Sequence, residues 1–270
     1  MEISAELIRF LKKATRIAVL TGAGISAESG LKTFRDAQDG HWSKYRPEDL
    51  ATPEAFARDP KLVWDWYAMR RNKVAEATPN PSHFALVEME HRVSSFTLIT
   101  QNVDGYHRQA GSQNVLELHG NIQQVKCYDG CGVVDEWEEP VIASEAKQSP
   151  SMHKEIAASQ KHAPRNDTGV PRCEKCGAYL RPDVVWFGES LPLGAFDAAL
   201  EAAANCHIFF SIGTSGLVQP AASLAGEAHR QGAAVVEVNL DPTPLTPYVD
   251  FALHGKSGEI LPKLVYEVWG

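Results

Sequence analysis

Basic residues are under-represented in this 270-residue chain, where 26 lysines and arginines face 34 acids for a formal net charge of -8. Such a surface lacks the cations that displace counterions from a phosphate backbone, which argues against direct nucleic-acid binding. It suits a cationic partner, such as a lysine-bearing protein segment, although a plain solvated acidic surface has the same balance. No apolar run is long enough to span a bilayer, and Met1-Glu2-Ile3-Ser4 has no basic stretch leading into an apolar segment. No membrane association and a cytoplasmic location are therefore expected. Only five cysteines are present, better explained by metal binding and packing than by disulfides. The apolar fraction of 44% is ordinary, and the length suits about two domains, or one large domain with an inserted module.

Alternation of short apolar runs with helical patterns predicts an α/β fold, a doubly wound parallel sheet. Ser4 is placed to cap a helix carrying Leu7, Phe10, Leu11 and Ala14 on one face. The apolar run Ile17-Ala18-Val19-Leu20 then ends in Thr21-Gly22-Ala23-Gly24-Ile25-Ser26. A glycine pair after a buried strand lets the backbone turn tightly and approach a pyrophosphate, although strand-to-helix turns also use glycine with no ligand. The second strand and terminal acid that a dinucleotide dehydrogenase places about 20 residues past this turn are missing. A polar loop around Thr33-Phe34-Arg35-Asp36 takes their place.

Proline-punctuated helical pieces follow, the second at about residues 61–75, and a further helix opens after Pro81 with Phe84, Leu86, Val87 and Met89 as apolar positions. Phe96-Thr97-Leu98-Ile99-Thr100 delivers Gln101-Asn102-Val103-Asp104, and Val115-Leu116-Glu117-Leu118 delivers His119-Gly120. Residues 207–212 deliver Gly213-Thr214-Ser215, Val235-Val236-Glu237-Val238 delivers Asn239, and a last strand near residue 252 ends at Gly255-Lys256-Ser257. The carboxyl edge of an open α/β sheet is where ligands bind. Gln101, Asn102 and Asp104 read either as an Asx-type turn or as contacts to ribose and carboxamide. His119 is one of ten histidines; its place at a strand end, with Gly120 keeping the edge open, favours proton transfer over packing. Glu28 and Asp36 read as loop charges, and His41, His83 and His107 have no such context.

The pattern breaks between Ile122 and Arg181. Cys127-x-x-x-Cys131 and Cys173-x-x-Cys176 have the pairing of a four-thiolate structural zinc site, while Cys206 reads as a packed thiol. Residues 144–168 are polar and aperiodic, so a mobile loop is expected. In the second helical piece Val63, Tyr67, Arg70 and Val74 share one stripe. An arginine there either snorkels or, beside a tyrosine hydroxyl, receives a carboxylate. Val184-Val185-Trp186-Phe187-Gly188-Glu189 reads as a core strand.

Gly22-Ala23-Gly24-Ile25-Ser26, Ser29-Gly30-Leu31, Phe34-Arg35, Thr100-Gln101-Asn102-Val103-Asp104 and His119-Gly120 closely resemble the sirtuin family of NAD-dependent protein lysine deacylases, in family order as far as Ser257. The resemblance implies a Rossmann-like NAD-binding domain of residues 1–41, 79–121 and 183–270. The smaller domain would combine a helical part, 42–78, with a zinc ribbon, 122–182. It implies NAD as co-substrate, held by Gly22, Ala23, Gly24 and Ser26 with Phe34 and Arg35 closing over it. Gln101, Asn102 and Asp104 would take the nicotinamide end, and Gly213, Thr214, Ser215, Asn239 and Ser257 the adenosine end. His119 would be the general base, and one zinc would be held by Cys127, Cys131, Cys173 and Cys176. Acyl-lysine protein or peptide substrates would add onto Val185, Phe187 and Gly188 as an extra strand. Tyr67 and Arg70 resemble the branch accepting acidic acyl groups, with Ala51 leaving room. The implied reaction removes succinyl, malonyl and acetyl groups from lysine, releasing nicotinamide and O-acyl-ADP-ribose. Two other readings stay open: mono-ADP-ribosyl transfer, and a zinc-bearing module that senses NAD without turnover.

Overall fold

The computed structural model describes residues 3–31, 44–134, 169–192 and 194–270. Expectations for Phe34, Arg35, Asp36, His41 and the 144–168 loop lie outside these residues.

Six parallel strands form the main sheet: β1 (Arg16–Thr21), β2 (Ser95–Thr100), β3 (Val115–Glu117), β7 (Ile208–Ile212), β8 (Ala234–Asn239) and β9 (Phe251–His254), in the order β3-β2-β1-β7-β8-β9. Their apolar runs carry no alternation because both faces are covered; all five residues of β7 are buried. The chain leaves β1 for β2 on one side and reaches β7 on the other, so a crevice opens at this reversal of strand order. Register aligns Thr21 with Thr100 and with Ile212, and Ile212 with Val238. The segments after four strands consequently emerge side by side.

One face of the sheet is covered by α1 (Ala5–Lys13), α6 (Pro81–Arg92) and α10 (Ser257–Trp269), through Leu7, Leu86, Met89, Leu261 and Leu264. The other is covered by α8 (Ala195–Asn205) and α9 (Ser223–Arg230), whose Ala199, Ala203 and Ala228 allow close approach. Ser4 does cap α1, its Oγ accepting the Leu7 N–H at 3.1 Å. Phe10 differs from expectation. It lies at the edge of the apolar stripe, 46% exposed, edge-on to Phe251. Phe84 likewise faces outward from α6, whose buried face is Ala85, Leu86 and Met89.

A second core joins α4 (Pro53–Arg58) and α5 (Pro60–Glu76) to an antiparallel sheet of β4 (Gly120–Cys127), β5 (Val133–Val134) and β6 (Leu180–Val184). Phe56, Trp66, Trp186, Val125 and Leu180 fill it. Neither 120–127 nor 180–183 shows a strand pattern in the sequence, because Gln123, Gln124, Arg181, Pro182 and Asp183 interrupt the apolar positions. The run at 184–189 is also not a strand beyond its first residue. Val185 N–H donates to the His119 carbonyl at 2.9 Å and Phe187 N–H to that of Ala51 at 2.9 Å, while Glu189 closes a turn onto Trp186. Among the described residues no helix is long and apolar enough to cross a membrane.

Candidate active site

The aligned strand ends open into a cavity of about 1280 Å³ between the parallel sheet and the second core. Its glycine turn is shaped by a neighbour. A Cβ on Gly22 would stand 2.8 Å from the Gly213 carbonyl oxygen, and one on Gly24 would stand 2.8 Å from Gly213 Cα. Gly213, at φ +59°, is itself pressed against Ile25. The glycines thus interlock the turns after β1 and β7, a requirement the sequence did not reveal.

Polar side chains tie these turns together. Asn102 Nδ2 donates to the Gly22 carbonyl and to Ser26 Oγ, both at 3.1 Å. Ser26 Oγ donates onward to Asp104 Oδ2 at 2.7 Å, and Asp104 Oδ1 caps the N–H of Tyr106 at 3.0 Å. Burial pushes the Asp104 carboxyl above its usual range, against these two hydrogen bonds. Gln101 Nε2 donates to Thr214 Oγ1 at 3.0 Å, and Asn239 Nδ2 to the Thr214 carbonyl at 2.8 Å. Gly22, Ala23, Gly24, Ser26, Gln101, Asn102, Asp104, Gly213, Thr214, Ser215 and Asn239 all line the cavity.

Ser257 does not. It stands at the start of α10, where its Oγ meets Ser82 Oγ at 2.8 Å and donates to Glu28 Oε1 at 3.0 Å. Glu28 is more than a loop charge, since it also accepts the Gly258 N–H at 3.0 Å and caps α10.

His119 lines the cavity with Nδ1 2.9 Å from the Gln101 carbonyl. A carbonyl only accepts, so Nδ1 carries the proton and Nε2 the lone pair. Burial holds the imidazole below the ordinary histidine range, opposed by the Gln101 carbonyl. Gly120 serves a purpose other than the open edge expected of it. At φ +79° it lets β4 approach β6 so closely that a Cβ would come 2.1 Å from the Asp183 carbonyl oxygen.

His83 and His107, unassigned in sequence, are buried with ring centroids 4.9 Å apart. His83 Nδ1 accepts the Asn80 N–H in the capping box of α6, and His107 Nε2 meets Thr21 Oγ1 at 3.0 Å behind the glycine turn. Burial pushes His83 down to about 4 and His107 well below its usual value.

On the other wall, α5 presents Tyr67 and Arg70 beside Ala51. The Trp66 ring supports both, edge-to-face with Tyr67 at 4.7 Å and under the Arg70 guanidinium at 5.0 Å. Burial pushes the Tyr67 phenol up to about 12 and lowers the Arg70 pKa, which the tyrosine partly opposes. Val185, Phe187 and Gly188 complete this mouth, with Phe187 half exposed. Trp186 and the 240–243 lip also line the cavity. The lip is anchored by buried Glu237, which accepts from Thr243 Oγ1 and Thr246 Oγ1. Sequence pattern concealed both, because Trp186 and Glu237 sit inside apolar runs.

Away from the cleft, the sulfurs of Cys127, Cys131, Cys173 and Cys176 lie within 4.8 Å of one another. Tetrahedral zinc with Zn–S bonds of about 2.3 Å separates sulfurs by roughly 3.8 Å, so the four fit one structural zinc with no open position. The extra residue in the first pair is absorbed by a turn with Gly130 and Gly132 at positive φ, in which Cys127 N–H donates to the Gly132 carbonyl at 3.0 Å. Cys206 is a packed thiol, bonded to the Ala203 carbonyl at 3.2 Å and pushed up to about 11 by burial.

A family model described as Sir2 family matches residues 22–220. The chain is 47% identical over 263 residues to the NAD-dependent protein deacylase of Pyrococcus furiosus, covering 97% of each. It is 48% identical over 257 residues to that of Thermus thermophilus, covering 94% of this chain and 90% of the relative. Among solved structures, a Sir2 homologue in complex with NAD matches with a TM-score of 0.84 at 42% identity, over 99% of this chain and 94% of that one. With the family match across most of its length and relatives nearly half identical from end to end, the chain belongs to the Sir2 family.

Proposed function

We propose that this protein is an NAD-dependent protein lysine deacylase that removes succinyl and malonyl groups in preference to acetyl. The observation that carries the reading is His119, a buried neutral imidazole whose Nδ1 proton is committed to a backbone carbonyl, leaving Nε2 as acceptor inside the cleft. The relatives' names and the NAD complex of a structural neighbour support it.

A turn at Gly22 to Gly24 whose one side chain is the methyl of Ala23, beside Gly213 and Ser215, suits a pyrophosphate brought close to backbone, and the cavity is roomy enough for a dinucleotide with an acyl side chain. Bound NAD would supply an electrophilic ribose carbon with nicotinamide as its leaving group. Gln101, Asn102 and Asp104 are placed to orient the ribose and amide. His119 Nε2 then takes a proton from a ribose hydroxyl as the acyl group passes to ADP-ribose. The apolar wall of Ile122, Val184 and Trp186 excludes water and aligns the acyl-lysine. The run at 185–188 guides the peptide backbone.

Arg70 supplies the acidic preference. A half-buried guanidinium beside a phenol hydroxyl offers paired donors and a charge to a terminal carboxylate. A panel of succinyl-, malonyl- and acetyl-lysine peptides with NAD, read by mass spectrometry, tests this. Arg70→Met should lose desuccinylation by about 10–100-fold, as expected when a charged hydrogen-bonding partner worth about 1.5–3 kcal/mol is removed, and retain deacetylation. Equal loss of both removes the acidic preference.

A further inference from the structure

The Tyr67 hydroxyl is not a free rotor. Trp186 Nε1 donates to its oxygen at 3.0 Å. An indole N–H only donates, so the phenol oxygen must accept here and its own proton must point elsewhere. Among the described residues no acceptor is placed for that proton, and Tyr67 lines the cleft.

The indole is itself held on its face and at its backbone. The Arg181 guanidinium lies 3.2 Å from the Trp186 ring centroid. It donates to both oxygens of Glu189 and, at 2.7 Å, to the Val184 carbonyl. Glu189 Oε2 in turn accepts the Trp186 backbone N–H at 2.8 Å. Phe56 closes the remaining side at 5.3 Å between ring centroids. With Arg181 buried and Glu189 partly exposed, this ion pair is suited to holding a single geometry rather than to adding stability.

We propose that Trp186, clamped by Arg181 and Glu189, is a positioning residue that aims the Tyr67 hydroxyl proton at the terminal carboxylate of an acyl-lysine held beside Arg70. This rests on the acidic-acyl reading above. Aiming matters because a hydroxyl that must first be reoriented offers a carboxylate less than one already pointing at it. Accepting from the indole also polarises the phenol, strengthening the bond it donates.

The test is the ratio of kcat/KM for succinyl- and acetyl-lysine in one peptide sequence, which cancels any loss common to both. Trp186→Phe keeps a ring over Arg181 and removes the N–H. Benzothienylalanine at position 186 does the same with the full indole shape, should the phenylalanine variant fold poorly. The ratio should fall about fivefold in either, through a higher KM for the succinyl peptide. In a Tyr67→Phe background, removing the indole N–H should change the ratio no further. An unchanged ratio, or effects that multiply with Tyr67→Phe, overturns the role of Trp186. If Arg70→Met lowers the ratio while the Trp186 variants do not, only the positioning role falls. If Arg70→Met leaves the wild-type ratio unmoved, the acidic-acyl reading falls and this inference with it.

Discussion

His119 illustrates how one side chain inherits its chemistry from backbone placed by the sheet. The carbonyl after β2 holds the Nδ1 proton, and burial disfavours the imidazolium. Because its pKa is held below the usual histidine value, the imidazole stays neutral to lower pH than an exposed histidine would. The acidic limb of the kcat/KM profile should therefore fall below pH 6.5, the unperturbed value. A limb at or above that value would contradict this environment. The place of His119 at a strand's carboxyl edge was legible from the apolar run before it, but its tautomer was not, since the carbonyl that decides it lies 18 positions away. The capping contacts of Glu28 and Ser257 were hidden for a related reason. Their partners lie about 230 positions apart in the chain and meet only when α10 docks.

At the scale of elements, buried parallel strands announced themselves, because unbroken apolar runs ending in polar clusters have few alternative uses. The ribbon strands β4 and β6 did not. Their stability comes from pairing across a long stretch of sequence and from the four-thiolate site, neither of which leaves a period. That difference predicts how the two sheets respond to metal loss. A structural zinc contributes folding free energy directly. A strong chelator with the zinc removed should erase amide protection along β4 and β6 while β1 and β7 remain protected in hydrogen exchange. Simultaneous loss across both sheets would show instead that the cysteines support the whole molecule.

For the whole molecule, the cleft lies where two cores meet, and its architecture depends on neutral buried histidines behind the glycine turn. His83 binds a proton near pH 4 when folded and near 6.5 when unfolded. The unfolded chain therefore takes up more protons between these values, and stability is lost as pH falls from about 6.5 to 4. His83 alone accounts for roughly 3 kcal/mol across that window, and His107 adds in the same direction. Denaturant midpoints for the wild type should drop steeply over this range, and His83→Gln should flatten the slope; equal slopes would contradict it.

The reaction itself is tested most directly with NAD labelled in its adenosine half, incubated with a succinyl-lysine peptide and either wild-type protein or His119→Ala. Wild type should convert the label to soluble succinyl-ADP-ribose, with one unmodified lysine per nicotinamide released. The variant should do so at least about 100-fold more slowly, the scale of a lost general base. Label fixed on protein, or no nicotinamide released by wild type with succinyl-, malonyl- or acetyl-lysine, would contradict the account.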